Sequence, residues 1–377
     1  MKYRDLVRPG VLSLPVYEPG RPIEDVAREF GLDPNGVLKL ASNENAMGPS
    51  PKAVEAAAQA MRHAHLYPDG SAIALREKLA EVRGLKPEQI FVGTGSNEVM
   101  VLLAQAFAGP GDEIIFGEYA FIVYKLAALL FGAKPVSVPM PGLAHDLDAM
   151  ADAVTDRTRI IFMPCPNNPT GTVVDPDDLK SFIRQLPEHV IFCFDEAYAE
   201  YLDEPADLRP LIDEGYKVFC TRTFSKIYGL ASLRVGYGYG DPELIKLLNQ
   251  VRQPFNSTGI GQAAALAALD DHAFVTRSRE SNRAGLKQLT EGFKRLGLDC
   301  PPSEANFVLM AVADSRKVFE LLEARGIIVR PLHGYGLSEY LRVTVGTEEE
   351  NTRLLGALEE LLAGPDAASL KGESERR

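Results

Sequence analysis

Between about residues 50 and 241, short runs of consecutive apolar residues alternate with longer stretches whose apolar positions recur every three or four residues. The short runs, at 90–93, 113–116, 159–163, 190–194, 217–221 and 235–239, read as strands buried on both faces. The longer stretches read as helices. Ser50 caps one that has Pro51 at its first position and runs to Met61. Others span 96–107, with Val99, Leu102, Leu103 and Ala106 on one face, 122–131 and 176–185. Strands and helices in alternation predict an α/β class fold, a mostly parallel sheet covered by helices. Past Phe255 the pattern changes: 261–295 reads as one long helix, followed by strands at 306–310, 327–330 and 340–344 and helices at 315–325 and 348–362. The expected organisation is an N-terminal arm (1–49) packing on the small domain, a large α/β domain (50–265), a small α+β domain (266–364) and a flexible tail (365–377).

Composition narrows the function. A chain of 377 residues that is 46% apolar and 24% charged can bury a large core, and its length suits two domains. The net charge of −12 argues against nucleic acid or an anionic membrane as partner. The longest apolar candidate, 126–133, falls short of the roughly 20 residues of a membrane helix. Residues 1–10 lack the apolar core of a signal peptide, and Cys165, Cys193, Cys220 and Cys300 form no CxxC pair. These features predict a cytoplasmic protein with reduced cysteines. His63 and His65 have no ligand partners at metal-binding spacing, so no metal is expected. Gly236-Tyr-Gly-Tyr-Gly240 resembles a nucleotide loop but opens no helix, and reads as sheet packing.

In open α/β sheets ligands sit beyond the carboxyl ends of the strands, so the loops there are the places to look. Thr94-Gly-Ser-Asn-Glu98 opens a helix and presents free backbone N–H groups suited to a phosphate, although a simple capped turn has the same signature. Pro164-Cys-Pro-Asn-Asn-Pro-Thr-Gly171 is a rigid loop aiming two amides above the sheet, or an Asx turn. Asp195-Glu-Ala-Tyr198 places an acid at the end of a buried strand, which is costly unless something positive meets it. In Arg222-Thr-Phe-Ser-Lys226, the lysine lies among apolar and hydroxyl residues with Arg234 nearby, conditions that lower an amine pKa and make it nucleophilic.

Together these loops, with Leu40-Ala-Ser-Asn-Glu-Asn45, Leu66-Tyr-Pro68, Pro302-Ser-Glu-Ala-Asn-Phe307 and Leu341-Arg-Val-Thr-Val-Gly-Thr347, resemble the fold-type-I pyridoxal-phosphate aminotransferases. More narrowly, they resemble the histidinol-phosphate aminotransferases, in order over nearly the whole chain. The resemblance implies a seven-stranded, mostly parallel sheet and pyridoxal 5'-phosphate as cofactor. It implies Lys226 as the amine that bonds to the cofactor aldehyde and then shuttles a proton, and Asp195 as partner of the ring nitrogen. Asn168 and Tyr198 would hold the ring oxygen. Gly95, Ser96, Asn97, Thr223, Ser225 and Arg234 would hold the phosphate. Tyr67 would cross to a neighbouring subunit's site, implying a homodimer. The family commonly has a Pro-Thr-Tyr loop whose Tyr stacks on the ring; here the loop reads Glu118-Tyr-Ala-Phe121, leaving Phe121 or Tyr119 for that place.

On the substrate side the resemblance points to Arg342, Arg330, Asn43 and Tyr17. The reaction it implies is transamination between L-histidinol phosphate and 2-oxoglutarate. An aromatic or prephenate aminotransferase, or a decarboxylase of a phosphorylated amino acid, fits the same framework.

Overall fold

The structure, a computed structural model, describes residues 1–371 apart from 13, 15 and 17–19. In chain order the first eight strands are β1 (Leu38–Lys39), β2 (Ile90–Gly93), β3 (Glu113–Gly117), β4 (Lys134–Val138), β5 (Thr158–Pro164), β6 (Ile191–Asp195), β7 (Val218–Thr223) and β8 (Gly236–Gly240). β2 to β8 form one seven-stranded sheet in the order β2-β8-β7-β6-β5-β3-β4. Only β8 runs antiparallel to its neighbours.

The continuous apolar runs have a simple cause. Phe91, Ile114, Phe116, Ile160, Phe162, Cys193 and Phe219 join one buried cluster, while Val92, Ile115, Ile161, Met163, Phe192, Phe194 and Cys220 join another. Successive strand residues point to opposite faces. Both faces are covered, so both parities are mainly apolar, and the polar residues cluster at strand ends, as at Asp195 and Thr221–Thr223. β4 escaped the sequence reading because it is an edge strand, Lys134-Pro-Val-Ser-Val138, with exposed positions and an edge proline. The helix Ile73–Arg83 was missed as well.

A third cluster forms the core of the C-terminal unit. Leu289, Phe293, Val308, Met310, Leu341, Val343 and Leu358 contribute to it. Its sheet holds β9 (Phe307–Ala311), β11 (Arg330–Pro331) and β12 (Tyr340–Thr344), all antiparallel. The predicted single strand at 327–330 is divided. Its first half, β10 (Ile327–Ile328), pairs instead with β1 from the N-terminal segment.

The single long helix expected at 261–295 is two helices, Gly259–Leu269 and His272–Leu296. Between them Asp271 accepts the Phe274 N–H and the Ser50 hydroxyl. An aspartate at this position starts a new helix instead of continuing the old one. The expected flexible tail also begins later. Helix Ala367–Leu370 buries Leu370 in the C-terminal core, and Asp314 N–H donates to Ser369 O at 2.9 Å; residues 372–377 lie outside the described ones. The N-terminal segment touches both units: Val26 and Ala27 pack with Ile328, while helix Pro9–Leu12 lies against helix Val123–Phe131.

The two-faced burial of the sheet gives a stability prediction. Phe219 is fully buried between strand and helix layers. Phe219→Ala is expected to lower unfolding free energy by about 3–5 kcal/mol, read from the urea midpoint.

Candidate active site

β2, β5, β6 and β7 end at one edge of the sheet, and β8 starts there, with Gly236 opposite both Gly93 and Thr223. The loops after these strands therefore meet. They enclose a cavity of about 270 Å³ roofed by the N-terminal segment and by β11 and β12.

The turn after β2 leads into helix Gly95–Phe107. Gly95 has φ +81°, and a Cβ there would lie 2.6 Å from Arg234 Nη2. A Cβ at Gly236 would lie 2.3 Å from the Ser96 nitrogen. Glycine is thus required both to form the turn and to let β8 and the guanidinium close on it. Arg234 also donates to Ser225 Oγ at 3.2 Å. Ser96, Asn97, Thr223, Ser225 and Arg234 all line the cavity, an assembly of backbone N–H groups, hydroxyls and one guanidinium suited to an anion.

Asp195 ends β6 and is buried. Its carboxylate accepts from the Tyr124 hydroxyl at 2.8 Å, the Thr221 hydroxyl at 3.3 Å and the Ala197 N–H at 3.2 Å. No cationic side chain hydrogen-bonds it among the described residues. Burial pushes its pKa up to about 6, against the three hydrogen bonds and with the help of neighbouring Glu196. Lys226 lines the same cavity; its Nζ donates to Ser42 O at 3.2 Å and lies 5.6 Å from the Tyr198 ring centre. Burial lowers this amine to about 8; Arg342 and Arg234 add to the effect, while Glu44 and Asp195 oppose it. Desolvation outweighs the cationic neighbour that sequence reasoning emphasised.

Asn168 accepts from Arg342 Nη1 at 2.5 Å, leaving its amide nitrogen as a donor. Tyr198 accepts from Asn43 Nδ2 at 2.9 Å, and burial raises its phenol to about 12, so it stays a proton donor. Asn43 lines the cavity, yet its amide N–H is committed to Tyr198. Arg330 and Arg342 are direct register partners on β11 and β12 and both face the cavity.

Phe121 lines the cavity, whereas Tyr119 packs with the Leu309, Leu332 and Leu337 cluster. Tyr67 lies outside the cavity, 82% exposed and stacked on Phe255 with ring centres 4.6 Å apart. Tyr17 lies outside the described residues. Sequence reasoning missed Tyr124. It sits in an apolar helix and reads as core, and only its hydroxyl at Asp195 reveals a second role. Among the described residues no group of three or more His, Cys, Asp or Glu is placed to hold a metal.

A lysine, an uncompensated acid and an anion cradle at one sheet edge define a class, and residues 35–358 match the family model of aminotransferase class I and II. Histidinol-phosphate aminotransferase of Akkermansia muciniphila is 45% identical over 96% of this chain and 100% of its own length. Histidinol-phosphate aminotransferase 1 of Nitrosococcus oceani is 46% identical over 96% and 98%. Within the class, the chain belongs to the histidinol-phosphate aminotransferase family.

Solved structures agree in fold. Histidinol-phosphate aminotransferase of Sinorhizobium meliloti, in complex with pyridoxal-5'-phosphate, superposes with TM-score 0.86 at 26% identity, covering 95% of this chain and 97% of that one. Aspartate aminotransferase of Thermus thermophilus, with maleate, gives 0.81 at 27%, covering 95% and 99%.

The residues present fit pyridoxal phosphate. The buried carboxylate lacks the cation that a protonated ring nitrogen brings, the depressed amine suits an aldehyde, and the Gly95 turn with Arg234 suits the phosphate.

Raised by burial, Asp195 stabilises the cofactor-free fold fully below about pH 4, and this contribution is lost as the pH rises through about 6. Asp195→Asn is therefore expected to make the cofactor-free protein more stable than wild type at pH 8, by up to about 3 kcal/mol. The gap narrows toward pH 4, and urea unfolding at several pH values measures it.

Proposed function

We propose that the chain transfers the amino group of L-histidinol phosphate to 2-oxoglutarate, giving imidazole-acetol phosphate and glutamate, a step of histidine biosynthesis. The observation that carries this reading is the adjacent pair Arg330 and Arg342 facing the cavity that also contains Lys226. Two guanidinium groups side by side suit a phosphate monoester in one half-reaction and a dicarboxylate in the other.

Bound in the cavity, pyridoxal 5'-phosphate supplies an aldehyde that carries the amino group and a ring that withdraws electrons from the substrate Cα. Gly95, Ser96, Asn97, Thr223, Ser225 and Arg234 would hold its phosphate, and Phe121 would supply an aromatic face to its ring. Asp195, steadied by Tyr124 and Thr221, holds the proton on the ring nitrogen. Asn168 and Tyr198 donate to the ring oxygen, with Asn43 orienting Tyr198. Lys226 Nζ, which faces the cavity, would hold the cofactor through its aldehyde and would accept and return the proton at the substrate Cα. A pKa near 8 suits a group that must both accept and return a proton near neutral pH. In this reading Arg330, Arg342 and Tyr17 bind the substrate, and Asn43 serves it through Tyr198.

The working protein in this reading is a cytoplasmic homodimer. No helix among the described residues is long and apolar enough to cross a membrane. Val54, Met61, Leu66, Tyr67 and Phe255 are exposed apolar side chains, a surface that a second copy would cover. Tyr67 then reaches the neighbouring site. The large domain spans 50–265 and the small one 266–364, with the 1–49 arm packing on the small domain.

Half-reactions test the substrate. Holoenzyme mixed with histidinol phosphate or glutamate is expected to lose its visible cofactor band; a response to phenylalanine with none to histidinol phosphate overturns the assignment. Lys226→Ala is expected to lose the borohydride-fixable chromophore and at least ~10³-fold in turnover.

Mixing subunits tests the shared site. Inactive Tyr67→Ala and Lys226→Ala chains, refolded together, are expected to recover activity through hybrids with one intact site. No recovery in verified hybrids places Tyr67 outside the neighbouring site.

A further inference from the structure

Directly behind the cavity, on the opposite face of the sheet, lies a charge cluster that transamination as described leaves unused. Side chains alternate along a strand. Asp195 and Thr223 line the cavity and Thr221 hydrogen-bonds Asp195 on the same side, so Glu196 and Arg222 fall on the other side. Arg222 grips Glu196 with two hydrogen bonds, Nη2 to Oε1 at 2.7 Å and Nε to Oε2 at 3.2 Å, and reaches Glu200 through Nη1 at 2.9 Å. Tyr239 donates its hydroxyl to Glu196 Oε2 at 2.5 Å. Arg83 donates to Glu200 at 3.1 Å and to the Tyr237 hydroxyl at 2.8 Å. Arg222 is 5% exposed and Glu196 1%.

Burying four charges is expensive, and an apolar contact would join the same strands more cheaply. What an apolar contact would lack is charge beside Asp195. The titratable groups around Asp195 are Glu196 and Cys193 on its own strand, Tyr124 from helix Val123–Phe131, Tyr198 from the following loop and Lys226 from the loop after β7. Of these, Glu196 is the one acid, and it is the next residue in the chain. Unopposed in this dry setting, its carboxylate would drive Asp195 to take up a proton, and a neutral acid cannot hold a protonated ring nitrogen by charge. Arg222 lies one residue from Thr221 and from Thr223, so the same contact that cancels Glu196 also ties the ends of β6 and β7.

We propose that Arg222 is a positioning residue for the cofactor: by neutralising Glu196 from behind the sheet and joining the two strand ends, it keeps Asp195 an anion placed for the ring nitrogen. Arg222 itself touches neither cofactor nor substrate. The inference rests on the cofactor reading above.

The test uses ligand affinity, with no turnover. Purified full-length chain, stripped of cofactor, is titrated with pyridoxal phosphate and with its analogue in which carbon replaces the ring nitrogen. The quantity of interest is the ratio of the two affinities. Arg222→Met is expected to lower that ratio ~10-fold, because only the nitrogen-bearing ring senses the charge on Asp195. The double variant Glu196→Gln with Arg222→Met, which removes the unopposed acid, is expected to restore most of it. Arg222→Lys is expected to fall between wild type and Arg222→Met. Equal losses for both ligands in Arg222→Met, or a double variant no better than the single one, overturn the proposal in favour of a merely structural tie. Should Arg222→Met not fold, Tyr239→Phe, which removes one donor from Glu196, is expected to shift the ratio the same way, and an unchanged ratio overturns the proposal. A wild-type chain that binds neither ligand sinks the cofactor reading instead.

Discussion

Asp195 and Lys226 face one cavity, the carboxyl raised toward 6 and the amine lowered toward 8, each mainly by burial. Among the described residues, neither has an ion-pair partner within hydrogen-bonding distance. A folded chain that keeps two groups this way stores free energy that a suitable ligand releases. A ligand carrying a positive ring nitrogen and an aldehyde would satisfy both at once. The remainder of the structure can be understood as the scaffold that maintains this arrangement.

The sheet does most of that work. Because β2, β5, β6 and β7 end at the same edge, four loops distant in sequence meet within one ligand's length. Layers buried on both sides hold the strands stiffly, so small displacements of the acid or the lysine are resisted by close packing. The contacts around the acid come from three elements: Tyr124 from a helix, Thr221 from the neighbouring strand and the Ala197 N–H from the loop beyond. The C-terminal unit contributes to the same cavity through β11 and β12, which carry Arg330 and Arg342 as register partners.

The N-terminal segment links the two. Ser42 O receives the Lys226 amine, Ala41 O receives Arg342, and Asn43 reaches Tyr198, all while Leu38 and Lys39 pair with β10. Asn306 on the opposite side donates to Asn43 O and Glu44 O. These hydrogen bonds add to apolar anchoring of the same segment, with Leu38 and Leu40 in the C-terminal core and Ala41 packed with Ile328.

Local chemistry determined much of this protein from the chain alone. Apolar runs marked most strands because strands buried on both faces are apolar except where a polar residue finds a partner, and helix Pro51–Met61 was legible from its serine cap and following proline. Glycine and proline punctuation exposed the loops, and their residue types pointed to an amine, an acid and an anion cradle. Tertiary structure alone decided the rest, for the reason that long-range partners leave no periodic trace. Edge strand β4 mixes exposed and buried positions, and the run at 327–330 divides because two different strands claim its halves. Tyr124 reads as core until Asp195, 71 residues away, is folded against its hydroxyl. Likewise, whether Phe121 or Tyr119 faces the cavity depends on where the neighbouring cores leave room, which no local pattern records.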